Sequence, residues 1–271
     1  MVAYFKRQNT LFMVLGALLG LGVVMLFYQQ MVAPHPGYFR MFFILLPMLV
    51  GAVLGRLAAS HWANRRLKQI YDLLYVQLKP EEFLREFAPL VAKVPDITIE
   101  YVDGKNKVAY AYEAMGDFAR ALECIASVDP DKLKLHKLAG TATTQNQRLR
   151  LLLLLERVEE AKLHLEQLRA MGQVALERAP ALGRNIMECV RLAENWLLVL
   201  DGEPADEAYL AEEIELSKNN IHKSEMQLLL ARAAANRGDQ NGADELLLKA
   251  LSTGKGLYAE SKARQPLQAS A

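Results

Sequence analysis

The run LFMVLGALLGLGVVMLFY, Leu11 to Tyr28, carries no charge, and it constrains the fold more than any other feature of the chain. At about 1.5 Å of rise per residue, a helix over that run matches the hydrocarbon thickness of a bilayer. A second run, MFFILLPMLVGAVLG from Met41 to Gly55, is somewhat shorter. It reaches spanning length if Tyr38 and Phe39 sit at one interface and Arg56 snorkels at the other, with a kink expected at Pro47. A cleaved signal peptide competes for the first run because Lys6 and Arg7 precede it. The run exceeds the usual signal length, however, and no convincing small-x-small cleavage site precedes Pro34. The expectation is a transmembrane helical hairpin over residues 1–62.

Charge supports that division. The chain up to Ile70 holds Lys6, Arg7, Arg40, Arg56, Arg65, Arg66 and Lys68 and no acid, hence +7, whereas the other 25 basic and all 31 acidic residues leave the rest at −6. Basic residues flank the outer ends of both runs, and the connecting loop offers only Arg40, so both termini are expected in the cytoplasm of a multi-pass protein of the cell membrane. Pro34, Pro36 and Gly37 make that loop a hairpin tip. Gly16 and Gly20, and Gly51 and Gly55, have the small-xxx-small spacing that lets membrane helices approach closely; they are expected to pack the hairpin against itself, with self-association as the competing use. Arg65, Arg66 and Lys68 then face the lipid surface, each gaining about 1 kcal/mol from an anionic leaflet.

Residues 63–104 read as juxtamembrane helices and linker. Pro80 with Glu81 and Glu82 suits a first helical turn, ending before Pro95. The stretch ITIEYV, Ile97 to Val102, is the one candidate strand or extended linker. From 105 to 253 the spacing becomes repetitive. After Gly116 come Phe118, Ala121, Ile125 and Val128; after Gly238 come Ala243, Leu247 and Ala250 at the same offsets. Glu156 stands in the glycine position of a third copy, followed by Val158, Ala161, Leu165 and Leu168. Upstream, Ala109 and Tyr112, Leu149 and Leu152, and Ala231 and Ala234 match. A small residue five positions past a turn lets two antiparallel helices close up, and the later apolar residues seal them.

This pattern resembles the tetratricopeptide repeat, with departures: the early tryptophan is missing, Pro130 falls before the closing proline, and the turns at 116 and 156 are more widely spaced than the usual period. An irregular hairpin turning at Asp201 to Pro204 is expected between the second and last copies. The resemblance implies an all-α fold: a membrane hairpin, then a TPR-like solenoid, then a flexible tail over 254–271. Two spans followed by such a domain also resemble an arrangement common among bacterial membrane proteins, which supplies an architecture and no activity.

No enzyme and no cofactor are expected. His35, His61, His136, His164 and His222 are scattered without ligand spacing, and neither a phosphate-binding loop nor a GxSxG elbow occurs. Glu159 with Glu160 and Glu212 with Glu213 read as solvated helix faces, and Cys124 and Cys189 as buried thiols. Without a basic stripe interleaved with aromatics, nucleic acid is not an expected partner. The resemblance implies a protein or peptide partner on the inner face, at Asn106, Tyr110, Glu113, Asn146, Arg150, Glu225, Leu228, Arg232 and Asn236. A carboxylate clamp for chaperone tails is not implied, because Asn106 and Tyr110 replace its lysine and asparagine. The function expected is a membrane-anchored scaffold or adaptor; the alternative is an accessory subunit of a transporter, channel or other membrane complex.

Overall fold

The computed structural model describes residues 5–28, 32 and 37–265, without the side chains of Tyr38, Phe39 and Leu135. The loop-tip residues 29–31 and 33–36, His35 among them, and tail residues 266–271 lie outside the described residues. Within them every regular element is helical. Two compact units divide at Ile70 and Tyr71, a boundary later than the expected residue 62.

In the first unit, α1 (Lys6–Leu26) and α2 (Gly37–Tyr75, which runs past the boundary) are both long and apolar enough to cross a membrane, each with a mean hydropathy of 2.1 over its most apolar window. Their contact is made of backbone. A Cβ added to Gly16 would collide with the Gly51 carbonyl, one on Gly20 with that of Pro47, and one on Gly55 with that of Phe12. The glycine pairs therefore pack the hairpin against itself, as their spacing implies. Away from this seam the helices expose their side chains, Leu19 by 73%, Leu26 by 82% and Leu49 by 63%, which is apolar surface suited to hydrocarbon. On α2, Arg65 and Lys68 are exposed and Arg66 is half-buried.

The second unit starts at Tyr71 and continues through α3 (Pro80–Val91), α4 (Ile99–Ala114), α5 (Phe118–Ala126), a 3-10 segment (Pro130–His136), α6 (Lys137–Leu154), α7 (Val158–Arg178), α8 (Pro180–Leu200), α9 (Glu207–Leu216), α10 (Asn220–Asn236), α11 (Gln240–Thr253) and α12 (Tyr258–Ala263). Pro80 occupies the first turn of α3 with Glu81 and Glu82, as expected. The ITIEYV stretch is not a strand. Thr98 caps α4 by accepting from the Tyr101 N–H at 3.3 Å, and a capped first turn outweighs the β preference of the neighbouring isoleucines. Helices α3 and α4 thus belong to the body rather than to a linker.

One turn geometry recurs four times. Gly116, Glu156, Gly202 and Gly238 all have left-handed backbone, with φ of +78°, +55°, +78° and +79°. In each turn the following residue donates its N–H back five positions, Asp117 to Tyr112 O, Arg157 to Leu152 O, Glu203 to Leu198 O and Asp239 to Ala234 O, which satisfies carbonyls that the ending helix leaves free. Asp117, Asp206 and Asp239 then cap the next helix through their carboxylates. Most residues at the repeated offsets are core, whereas Tyr112, Phe118, Val158 and Leu247 are half-buried. Ala109, Ala121, Ala161, Ala231, Ala243 and Ala250 are fully buried, and Ile125, Leu149, Leu152, Leu165 and Leu168 nearly so.

Between the second and last copies the pairing departs from a simple hairpin. The turn at Asp201 and Gly202 is present, but α8 packs along α7 and α9 packs along α10. Gly172 and Gly183 explain the first contact: a Cβ at either would overlap Met187 or the Leu176 backbone. The tail also differs from expectation. Leu257, Ala259 and Ala263 are buried, and α12 packs against α11, α10 and α4. Ala259 and Ala263, one turn apart, together with Leu257 at the N-cap anchor this short helix against the neighbouring helices. Both cysteines are free and half-buried, and burial pushes each thiol up.

Candidate functional site: a charged triad beside a small cavity

Glu113 lies in the last turn of α4, just before the left-handed Gly116, and is 1% exposed. Arg150 on α6 donates from Nε to Glu113 Oε1 at 2.6 Å, and Gln147, one turn earlier, donates to Oε2 at 2.7 Å. The same guanidinium donates from Nη2 to Glu225 on α10. It also lies over the ring of Tyr110, 4.6 Å from the centroid, and Tyr110 Oη accepts from Asn219 Nδ2 at 2.9 Å. Three helices far apart in sequence are thereby joined at one cation.

Two carboxylates sharing one guanidinium leave an excess negative charge in the interior. Burial, reinforced by the nearby Glu225 charge, pushes the Glu113 carboxyl up to about 7 against the pull of Arg150 and the two hydrogen bonds. Burial likewise pushes the Tyr110 hydroxyl well up.

Beside the triad is a cavity of about 120 Å³. Leu153, Leu154, Trp196, Leu200, Leu228 and Leu229 form its apolar walls, and Leu257, Tyr258 and Ala259 border it from the C-terminal segment. Glu113 and Glu225 contact it from one side; Glu156, Arg232 and Lys262 are its more exposed charged residues. Arg232 Nη1 lies 3.1 Å from Glu156 Oε2, and Lys262 Nζ 3.4 Å from Oε1. Burial would raise the Glu156 carboxyl, but Arg232 and Lys262 together outweigh it and hold it below its usual range. Tyr258 also packs edge-on against Phe118 at 4.9 Å, which ties α12 to the first hairpin.

Of the inner-face residues, Glu113, Glu225, Leu228 and Arg232 meet at the cavity, with Arg150 and Tyr110 behind them. Asn106, Asn146 and Asn236 do not line it. Asn106 is buried with neither side-chain polar atom hydrogen-bonded among the described residues. Asn236 donates to the Val199 carbonyl at 2.9 Å, and Asn146 is half-buried. Part of the expected face is occupied by the chain itself: Tyr75 packs on Tyr110 at 5.8 Å, and Asn220 donates to the Val76 carbonyl at 3.1 Å.

Sequence reasoning did not single out Gln147, Trp196, Asn219, Tyr258 and Lys262, and it took Glu156 only as a substitute for glycine. That substitution was itself a signal, since a glutamate in a left-handed position costs about 1 kcal/mol or more and needs compensation. No group of three or more potential metal ligands occurs among the described residues. No family model, curated protein or solved structure matches the chain.

Proposed function

We propose that this chain is a membrane-anchored adaptor: α1 and α2 cross the bilayer with both termini in the cytoplasm, and the body is a TPR-like solenoid that binds a protein partner without catalysis. The observation that carries the reading is the recurrence of one left-handed turn at Gly116, Glu156, Gly202 and Gly238, with small buried residues after three of them. Stacked helical hairpins need that combination. The anchor rests on two helices with long apolar stretches and apolar outer surfaces, and the orientation on the basic residues that flank those stretches.

Because Tyr110, Glu113, Arg150 and Glu225 satisfy one another inside the body, partner contacts fall to Asn146, Leu228, Arg232 and Asn236. A photo-crosslinking residue at Asn146 or Asn236 in native membranes should give a discrete protein adduct, and one at Leu163, 61% exposed, should give none. Adducts from all three positions, or from none, would overturn the assignment of the face. For the anchor, His35→Cys should react with an impermeant thiol reagent in intact cells and Gln265→Cys should not; the reverse pattern rules out the topology.

A further inference from the structure

We propose that the cavity beside Glu156 is a binding site for a small amphipathic carboxylate, whose acid group displaces the Glu156 carboxylate from Arg232 and Lys262. The proposal does not depend on the adaptor reading. Size sets the first limit. An apolar cavity of about 150 Å³ accommodates benzene, so the 120 Å³ found here admits a branched or short chain of roughly five non-hydrogen atoms by the same scale, with a polar head at the mouth. The walls, Leu153, Leu154, Trp196 and Leu228 among them, suit an apolar tail.

The surrounding charges select the head group. Glu113 is already engaged by Arg150 and Gln147, and Glu225 by Arg150. Their charge turns a guest acid outward, toward Arg232 and Lys262. Those two cations converge on a single carboxylate, that of Glu156, at 3.1 and 3.4 Å, and Arg232 Nε–H has no acceptor among the described residues. An acid on this cation pair is therefore a chemistry the protein already displays, and one donor remains to be used.

Glu156 is suited to leaving. Its side chain is 46% exposed, so the released carboxylate has water to enter. It also occupies a left-handed backbone position, φ +55°, where the sister turns have glycine, which marks a residue kept there against backbone preference. The ligand thus competes with a tethered acid, and removing that acid should tighten binding.

The test uses the full-length protein in nanodiscs with Trp62→Phe, so that Trp196 on the cavity wall is the remaining tryptophan. 4-Methylpentanoate, 4-methylpentan-1-ol and 4-methylpentylamine are titrated at pH 7.5 against Trp196 emission, with empty discs as the partition control. The acid should saturate the signal and bind at least tenfold more tightly than the alcohol or the amine. Glu156→Gln should tighten the acid at least threefold, and Arg232→Gln should weaken it at least tenfold. Absence of saturation, equal or tighter binding of the alcohol or amine, or Glu156→Gln leaving affinity unchanged or weaker would each overturn the proposal. If Arg232→Gln melts early, the Glu156→Gln result decides alone, because a purely structural Glu156 gives no route to tighter binding.

Discussion

Replacing Arg150 by methionine keeps the apolar stem of the side chain and deletes the cation that Glu113 and Glu225 share. Both carboxylates are nearly sealed from solvent, at 1% and 8% exposure, and stranding charges in such a setting costs about 3–5 kcal/mol. That cost should depend on pH. In the wild type the Glu113 carboxyl is held at about 7 against an ordinary 4.5, so the native state binds its proton more tightly than the unfolded chain does. Stability from this group is therefore full below 4.5 and is lost as pH rises through 7, a swing of about 3 kcal/mol by linkage. Without Arg150 the Glu113 carboxyl loses the charge that pulls it down and shifts further up, and its protonation at pH 5 relieves much of the penalty. Urea unfolding of the full chain in detergent, read by Trp196 emission in a Trp62→Phe background, should place Arg150→Met about 3–5 kcal/mol below its parent at pH 8 and less than half that at pH 5. A penalty equal at both pH values, or under about 1 kcal/mol at pH 8, would show that the triad does not behave as a desolvated charge cluster.

Glu156→Gly and Glu156→Gln both remove the exposed ion pairs, but only glycine relieves the φ of +55°; the glycine variant should be the more stable by about 1 kcal/mol, and equal melting would argue against backbone strain. Gly16→Val should lower the melting midpoint of the detergent-solubilised chain, and Gly22→Val, where an added Cβ meets nothing within 4 Å, should not; identical effects would remove the glycine seam as the source of hairpin packing. Ala121→Leu and Ala243→Leu overfill fully buried positions and should each cost about 1–3 kcal/mol in urea unfolding, so an unchanged midpoint would refute the matched offsets.

Much of the helical layout was legible because turns and periods are local signals. Gly116 and Gly238 announced tight turns between helices, and the alanines five positions on announced close contacts that the structure contains. ITIEYV misled because β-branched side chains outnumber the single cap, Thr98, that decides the matter. The tail misled through its small, polar composition: what holds Leu257 and Ala259 is a groove built by α10 and α11, which no property of the tail itself discloses. The site was half legible. Helical spacing placed Tyr110 and Glu113 on one face, but that Arg150 turns toward both Glu113 and Glu225, and that Tyr75 covers Tyr110, depends on how helices far apart in sequence meet.

The contacts that bridge distant parts of the body, Arg150 to Glu225, Tyr110 to Asn219 and Lys262 to Glu156, bear on how such a chain can change over time. A stack of hairpins held only by neighbours gains or loses a unit with little penalty, since each interface is independent of the total number. Here an inserted unit between residues 157 and 219 would draw Glu225 and Asn219 away from Arg150 on α6 and Tyr110 on α4 and leave Glu225 without its cation. Length is thereby fixed by chemistry at residue 150, and divergence is confined to substitution at constant spacing. Folding inherits the same restriction, because Glu225 and Asn219 must reach partners on α6 and α4, a non-local requirement that slows assembly relative to an open stack.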